Sequence, residues 1–527
     1  MDISPELIAA AEQLIGLRFT AAERELMRDG LHKQLEHYAQ LRSVTLTNDV
    51  PPALLFDPRV SSSAARTFAP ANTEYHATPA WAVPADLEQL AFAPVTQLGE
   101  LIRTRQVSSV ALTEMYLRRL KRYDPMLRCV VSLTEELALS QADRADAELA
   151  AGRYRGPLHG IPWGAKDLLA TRGIRTTWGA TPFQEQMIDV DATVVRRLEE
   201  AGAVLVAKLT MGELAWGDIW FGGTTKNPWN LAEGSSGSSA GPGAATAAGL
   251  AGFTIGTETW GSIISPSARC GVTGLRPSFG RVSRAGAMAL SWSMDKIGPI
   301  CRSVEDCALV LQAIYGPDGQ DGTVTDRPFS WNPAVDLRQL RIGYIQSDFD
   351  TERDNRAQDD QTLATLRALG AELIPIALPA YPVNALAFIL FTEAAAAFDE
   401  LTRSDRDDLL VQQIQDAWPN MLRLARLIPA VEYIQANRIR TLIMRAMADV
   451  MQTIDVYIAP ASVGDNLLLT NLTGHPAIAL PNGFSAAGTP TSITFNGRLY
   501  EEATLLAVAK QYQDATNFHL QHPAMNF

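Results

Sequence analysis

The stretch Glu233 to Pro266, EGSSGSSAGPGAATAAGLAGFTIGTETWGSIISP, decides the fold. It holds two serine-bearing turns, Ser235-Ser236-Gly237-Ser238-Ser239 and Gly261-Ser262, with Ser238 and Ser262 24 residues apart. Between them, Ala240 to Gly252 is a run of small residues. Its alanines favour helix, and small side chains let such a helix lie close against neighbouring backbone. A strand-like segment, Phe253-Thr254-Ile255-Gly256, leads into the second turn. The pattern presents two serines to one another, one as nucleophile and one as proton relay.

Working outward, helix and strand signals alternate. Ser109 to Lys121 and Glu135 to Ala151 are amphipathic helices, and Gly156 to Asp167 (GPLHGIPWGAKD) is a punctuated apolar strand ending on Lys166. Val194 to Ala201 reads as helix and Ala203 to Ala207 as strand. Beyond the serine stretch come a turn-rich strand at Gly271 to Pro277, a helix opened by Arg302-Ser303, and a strand at Leu340 to Tyr344. A mostly helical region follows from 383 to 450, then strands at Val456 to Ala459 and Ala477 to Leu480, and a last helix from Glu501 to Thr516. This alternation predicts an α/β fold: one large mixed, twisted β-sheet covered by helices on both faces. Residues 1–80 read as a helical N-terminal extension and linker, and 81–527 as the main domain. Within the extension, Pro5 to Ile15 has helical spacing, and Thr20-Ala21-Ala22-Glu23 has the capping-box form and opens a helix ending near Leu41. Residues 45–80 read as a linker or strap, and the extension as either a homodimerisation arm or packing.

The formal net charge of −13 and the absence of an extended Lys/Arg cluster argue against a nucleic-acid partner. No basic leader opens the chain and no run of 18 apolar residues exists, so neither a signal peptide nor a membrane span is expected. Cys129, Cys270, Cys301 and Cys307 lack CxxC spacing and read as reduced core residues, which points to the cytoplasm. His519 and His522 share HxxH spacing without further ligands, so no metal and no cofactor is expected.

A serine hydroxyl needs a base to become a nucleophile. None of the seven histidines sits in a catalytic context, and His159 reads as structural. A lysine serves instead if burial favours its neutral form. Lys166 is the candidate, with an ordinary ion pair to Asp167 as the competing reading. Gly237-Ser238-Ser239-Ala240-Gly241 also matches GxSxG, but the strand that such a nucleophile elbow requires is missing before it, where Asn227 to Glu233 reads as loop. A flexible Gly/Ser linker is excluded by the patterned apolar sequence on both sides.

Together these segments resemble the amidase signature family. The resemblance is carried by Gly156 to Asp167, Asp191 to Met211, Asn227 to Asn230, Ser236 to Pro277, Asn471 to Ile478, and Asn496 to Leu506. It implies the amidase signature fold and a Ser–cisSer–Lys triad. By motif position, Ser262 would be the nucleophile, Ser238 the relay and Lys166 the base. The backbone N–H groups of Thr259, Trp260, Gly261 and Ser262 would form the oxyanion hole, and Met211, Gly237, Trp260 and Ile264 would touch a small-molecule amide substrate. Against the family's usual pattern, Trp260, Ile264, Glu258 and Thr210 are departures. Ile264 stands where a cation is frequent, so the expected acyl group is neutral, apolar or aryl, on an amide or, by promiscuity, on an ester, anilide or carbamate. The dense apolar residues Phe388 to Phe391 are divided evenly between pocket lining and core. The alternatives are the glutaminase subunit of a tRNA-dependent amidotransferase, whose small helical partner residues 1–80 faintly resemble, and a non-catalytic binding protein on the same fold.

Overall fold

The computed structural model describes residues 83–526 except 415 and 427, together with 3–15 and positions 21, 24, 25 and 28. Among these, one sheet of 11 strands carries the chain. Its strands are β1 (Val130–Leu133), β2 (Pro162–Lys166), β3 (Val204–Leu209), β4 (Phe253–Glu258), β5 (Thr273–Arg276), β6 (Lys296–Cys301), β7 (Ile342–Ile345), β8 (Leu373–Ile376), β9 (Val456–Pro460), β10 (Ala477–Phe484) and β11 (Pro490–Gly497). Their spatial order is β1-β3-β2-β4-β6-β5-β10-β11-β9-β7-β8. The sheet is mixed. β2 runs parallel to β3 and β4, and β7 parallel to β8 and β9, while β4 through β6, β5, β10, β11 and β9 pair antiparallel. Every residue of β2, β3, β4 and β6 is buried, as strands covered by helices on both faces require.

The small-residue run forms a helix at Ala240–Ala247, buried along its whole length against β2, β3, β4 and β6. It ends five residues short of the expected Gly252. Gly249 takes φ +63°, a left-handed conformation that closes a helix and costs glycine little. Gly241 shows why the run must be small: a Cβ there would lie 2.4 Å from the Thr210 nitrogen and 2.6 Å from the Cys129 carbonyl oxygen.

Several strands escape the sequence reading. β6 and β11 carry prolines and polar residues, and the short β1 and β8 lie between stronger helical signals. Asn230–Gly234, expected as loop, pairs with Lys226–Asn227 in a small hairpin apart from the main sheet, so the nucleophile-elbow context is absent. Pro5–Ile15 is helical as read, whereas the second expected helix and the strap at 45–80 lie largely outside the described residues. The four cysteines are free and buried. His522 stacks on Phe92 at 3.7 Å, so this histidine of the tail pair packs against a ring. Among the described residues no helix is long and apolar enough to cross a membrane.

Gly241→Ala is expected to lower the thermal denaturation midpoint by an amount equivalent to about 1–3 kcal/mol of overpacking. Gly322→Ala, where an added Cβ meets nothing within 4 Å, should leave the midpoint in place in the same differential scanning measurement.

Candidate active site

Lys166 ends β2 with its side chain fully buried. Its Nζ lies 2.8 Å from Ser238 Oγ, 2.8 Å from Thr257 Oγ1 and 3.1 Å from Ser239 Oγ. These partners come from the turn before the Ala240–Ala247 helix and from β4, which lies beside β2 in the sheet. Burial lowers Lys166 to about 7, against the opposing pull of the Asp295 and Glu258 charges. The ion pair weighed for it with Asp167 does not form. Asp167 pairs instead with Lys208 at 3.1 Å and accepts the Thr177 N–H at 2.8 Å. Lys166 is therefore surrounded by hydroxyls, and near neutral pH much of it carries a free lone pair.

The peptide between Gly237 and Ser238 is cis. Glycine is the only residue type that fits at 237, because a Cβ would lie 1.7 Å from the Gly217 carbonyl oxygen. The Ser238 carbonyl accepts from Gly212 N–H at 3.3 Å, and Ser239 N–H donates to the Ser262 carbonyl at 3.1 Å. That last bond ties the two serine turns together. Ser262 itself is half-buried, immediately before the Ile264–Cys270 helix.

A single carboxylate holds the turn from Thr259 to Ser262. Glu258 Oε2 accepts the N–H groups of Ile263 and Ile264, both at 2.8 Å, and Oε1 accepts from Arg276 and Asn471, also at 2.8 Å. Asn471 donates as well to the carbonyl of Trp260. Burial acts to raise Glu258, but Arg276 and these donors outweigh it and hold the carboxyl below its usual range. With its carbonyls and flanking amides so engaged, the turn keeps its own N–H groups, Thr259 to Ser262, without an acceptor among the described residues. His159 and His475 serve structure: His159 contacts the Ala145 carbonyl, and burial with Arg276 nearby drives His475 down to about 3.

Two openings border these turns. A cavity of about 180 Å³ touches Thr257 and Thr259, with walls from Leu168, Ala215, Met288 and Leu290. Its polar lining includes Arg284, paired with Asp321 at 2.8 Å, together with Asp295 and with Lys296, whose amine burial pushes well down. A separate open cleft is bounded by Ser236, Gly237 and Ser265.

The residues expected to touch substrate separate here. Gly237 faces the open cleft, and Trp260 is half-buried against the core. Met211 and Ile264 are fully buried in packed core, Ile264 against Ala477 and Ala479, and neither lines either opening. Ile389 and Leu390 are core, and Phe391 packs on Trp216 and Trp418. Thr257, Arg276, Asn471 and Asp295 had no role in the sequence reading. Asn471 and Arg276 lie inside the quoted motifs, but nothing local marks them as partners of Glu258.

A family model described as Amidase matches residues 111–470. The A subunit of the glutamyl-tRNA(Gln) amidotransferase of Roseiflexus sp. (strain RS-1) is 36% identical over 471 residues, 80% of this chain and 96% of the relative. The protein of the same name from Geobacter metallireducens is 33% identical, covering 81% of this chain and 98% of its own. Among solved structures, the native peptide amidase of Stenotrophomonas maltophilia superposes with a TM-score of 0.74 at 30% identity, covering 84% of this chain and all of that one. A protein from a vestigial complex tied to the origins of an s-triazine catabolic enzyme gives 0.74 at 28% identity, over 80% of this chain and 98% of that chain. The sheet, the buried lysine and the two serine turns thus stand within a shared architecture, and the chain belongs to the amidase signature family, as an enzyme of the amidase type that cleaves carbon–nitrogen bonds.

Proposed function

We propose that this chain hydrolyses a primary carboxamide through an acyl-enzyme on Ser262 and releases ammonia. The observation that carries the reading is the contact between buried, hydroxyl-surrounded Lys166 and Ser238 Oγ at 2.8 Å. Neutral Lys166 takes the Ser238 proton while Ser238 takes that of Ser262, and Ser262 Oγ bonds to the amide carbon. The carbonyl electrons move onto oxygen, where the free N–H groups of Thr259 to Ser262 receive them. One such donor is worth about 3 kcal/mol of barrier. Collapse breaks the C–N bond, and the leaving nitrogen takes its proton back from Lys166 through Ser238. Water then attacks the ester, its proton follows the same relay, and Ser262 departs as the hydroxyl.

The acyl group divides two readings. A neutral aryl acyl group was expected from Ile264, and Ile264 is core. The cavity beside Thr257 and Thr259 carries Arg284, Asp295, Lys296 and Asp321, which suit a polar acyl chain such as that of glutamine. The names of the curated relatives favour the same choice and, with it, a partner protein that uses the ammonia. The apolar walls at Leu168, Met288 and Leu290 are what supports the aryl alternative.

Three measurements test this. Ser262→Ala should abolish both turnover and covalent labelling by a fluorophosphonate; labelling that persists removes Ser262 as nucleophile. Because Lys166 must be neutral to accept a proton and its folded value lies at about 7, kcat/KM should rise with pH through about 7 and level off above it. Lys166→Met should lose about 10²–10⁴-fold at the plateau, and a variant retaining full activity would sink the base assignment. Finally, the purified chain should release ammonia from glutamine faster than from benzamide; the reverse order returns the aryl reading.

A further inference from the structure

The proposed reaction leaves one carboxylate beside the site without a role. Asp295 is half-buried just before β6 and lines the cavity. Its Oδ1 accepts the hydroxyl of Thr259 at 2.7 Å. Its Oδ2 accepts the N–H groups of Leu290 and Ser291 at 2.8 and 3.0 Å. Thr259 is the first residue of the turn that carries Ser262, and Leu290 is part of the cavity wall. Ser291 is itself anchored, its hydroxyl donating to Glu393 at 2.8 Å. One carboxylate therefore reaches both the reacting turn and the surface that shapes the cavity.

We propose that Asp295 is a positioning residue: it locks Thr259, and with it the turn bearing Ser262, to the Leu290–Ser291 wall of the cavity. The assignment rests on Ser262 being the nucleophile. Glu258 holds the far end of that turn, at Ile263 and Ile264, and Asn471 holds the Trp260 carbonyl, so Asp295 is what ties the Thr259 side chain at the near end to the cavity wall. The lock also has an electrical side. Burial dominates the lowering of Lys166, and the Asp295 charge is the first influence opposing it. The other ionisable groups about this region are Glu258 on β4 with its partner Arg276, Lys296 next in the chain, whose amine burial pushes well down, Glu393 and Arg440 at Ser291 and Ser293, and Arg284 across the cavity, held by Asp321. Burial raises the Asp295 carboxyl, and the Thr259 hydroxyl, the two N–H groups and Arg284 work against it.

The test uses the full chain and the rate at which a fluorophosphonate labels Ser262, followed across pH, so that no substrate has to be known. Asp295→Asn and Thr259→Val are each expected to slow labelling about 10- to 100-fold, the scale of one hydrogen bond to a charged group. The double variant should be no slower than the slower single one, since both remove the same link. Thr259→Ser should restore most of the rate lost in Thr259→Val. Asp295→Asn alone should move the acid limb of the profile to lower pH, because Lys166 loses the charge that favours its ammonium form; a merely structural carboxylate would leave that limb in place. Labelling of Thr259→Val at the full rate, losses that multiply in the double variant, or an unmoved limb each overturn the proposal. Should Asp295→Asn fail to fold, as judged by circular dichroism, the threonine pair decides alone. An unmodified chain that is not labelled at Ser262 removes the nucleophile assignment and this link with it, whereas a labelled chain with indifferent variants removes only the link.

Discussion

An amine held in the interior among hydroxyls, with no carboxylate bonded to it, is the constraint on which the rest of this protein turns. Transferring an ammonium ion out of water is costly unless a counter-charge meets it, so the group yields its proton instead. Lys166 meets Ser238, Ser239 and Thr257, whose hydroxyls satisfy its hydrogen bonds while leaving its charge unbalanced. The neighbouring Asp167 is kept away from it by a second buried lysine, Lys208, at 3.1 Å. Two lysines on adjacent strands thus have opposite fates. One is met by an ion pair and lends rigidity; the other is left in the low-dielectric interior, which favours its neutral form.

Around that lysine the carboxylates act by holding backbone. Glu258 gathers two amide N–H groups, an arginine and an asparagine, and so fixes a turn whose remaining N–H groups have no acceptor among the described residues. The arrangement follows from hydrogen-bond economy. A buried turn normally spends its donors on its own chain. Here the flanking residues and side chains carry that load, which leaves the donors at the centre available; in the proposed reaction they would meet a negative charge that exists only in passing.

Much of this was legible in the sequence, and the parts that were not have physical reasons. The resemblance to the amidase signature family grouped Lys166, Ser238 and Ser262, and the structure brings Lys166 to Ser238 and joins the two serine turns through the Ser239 N–H and the Ser262 carbonyl. The helix end at Ala247 was missed because Gly249 reads as one more small residue in a helical run, and only its left-handed backbone marks a stop. Met211 and Ile264 were assigned to substrate by position in the motif, but motif position says nothing of which way a side chain points, and both point into core. Asp295 gave no signal at all. Its partners Leu290 and Ser291 are close in the chain but sit in a loop without a pattern, and Thr259 is brought to it by the pairing of β6 with β4, a contact that exists only once the sheet is built.

The all-buried helix at Ala240–Ala247 bears on how such an enzyme can change. Its eight residues are none larger than proline or threonine, and they pack on four strands and the Ile264–Cys270 helix, so the slab beneath the serines has almost no free volume to trade. The cavity, by contrast, takes much of its wall from loops, residues 284–292 and 320–323. The two serine turns and the cavity are thereby built on separate materials, one incompressible and one replaceable. Substitutions in those loops can reshape the space beside the turn while Lys166 and the serines stay where the sheet puts them.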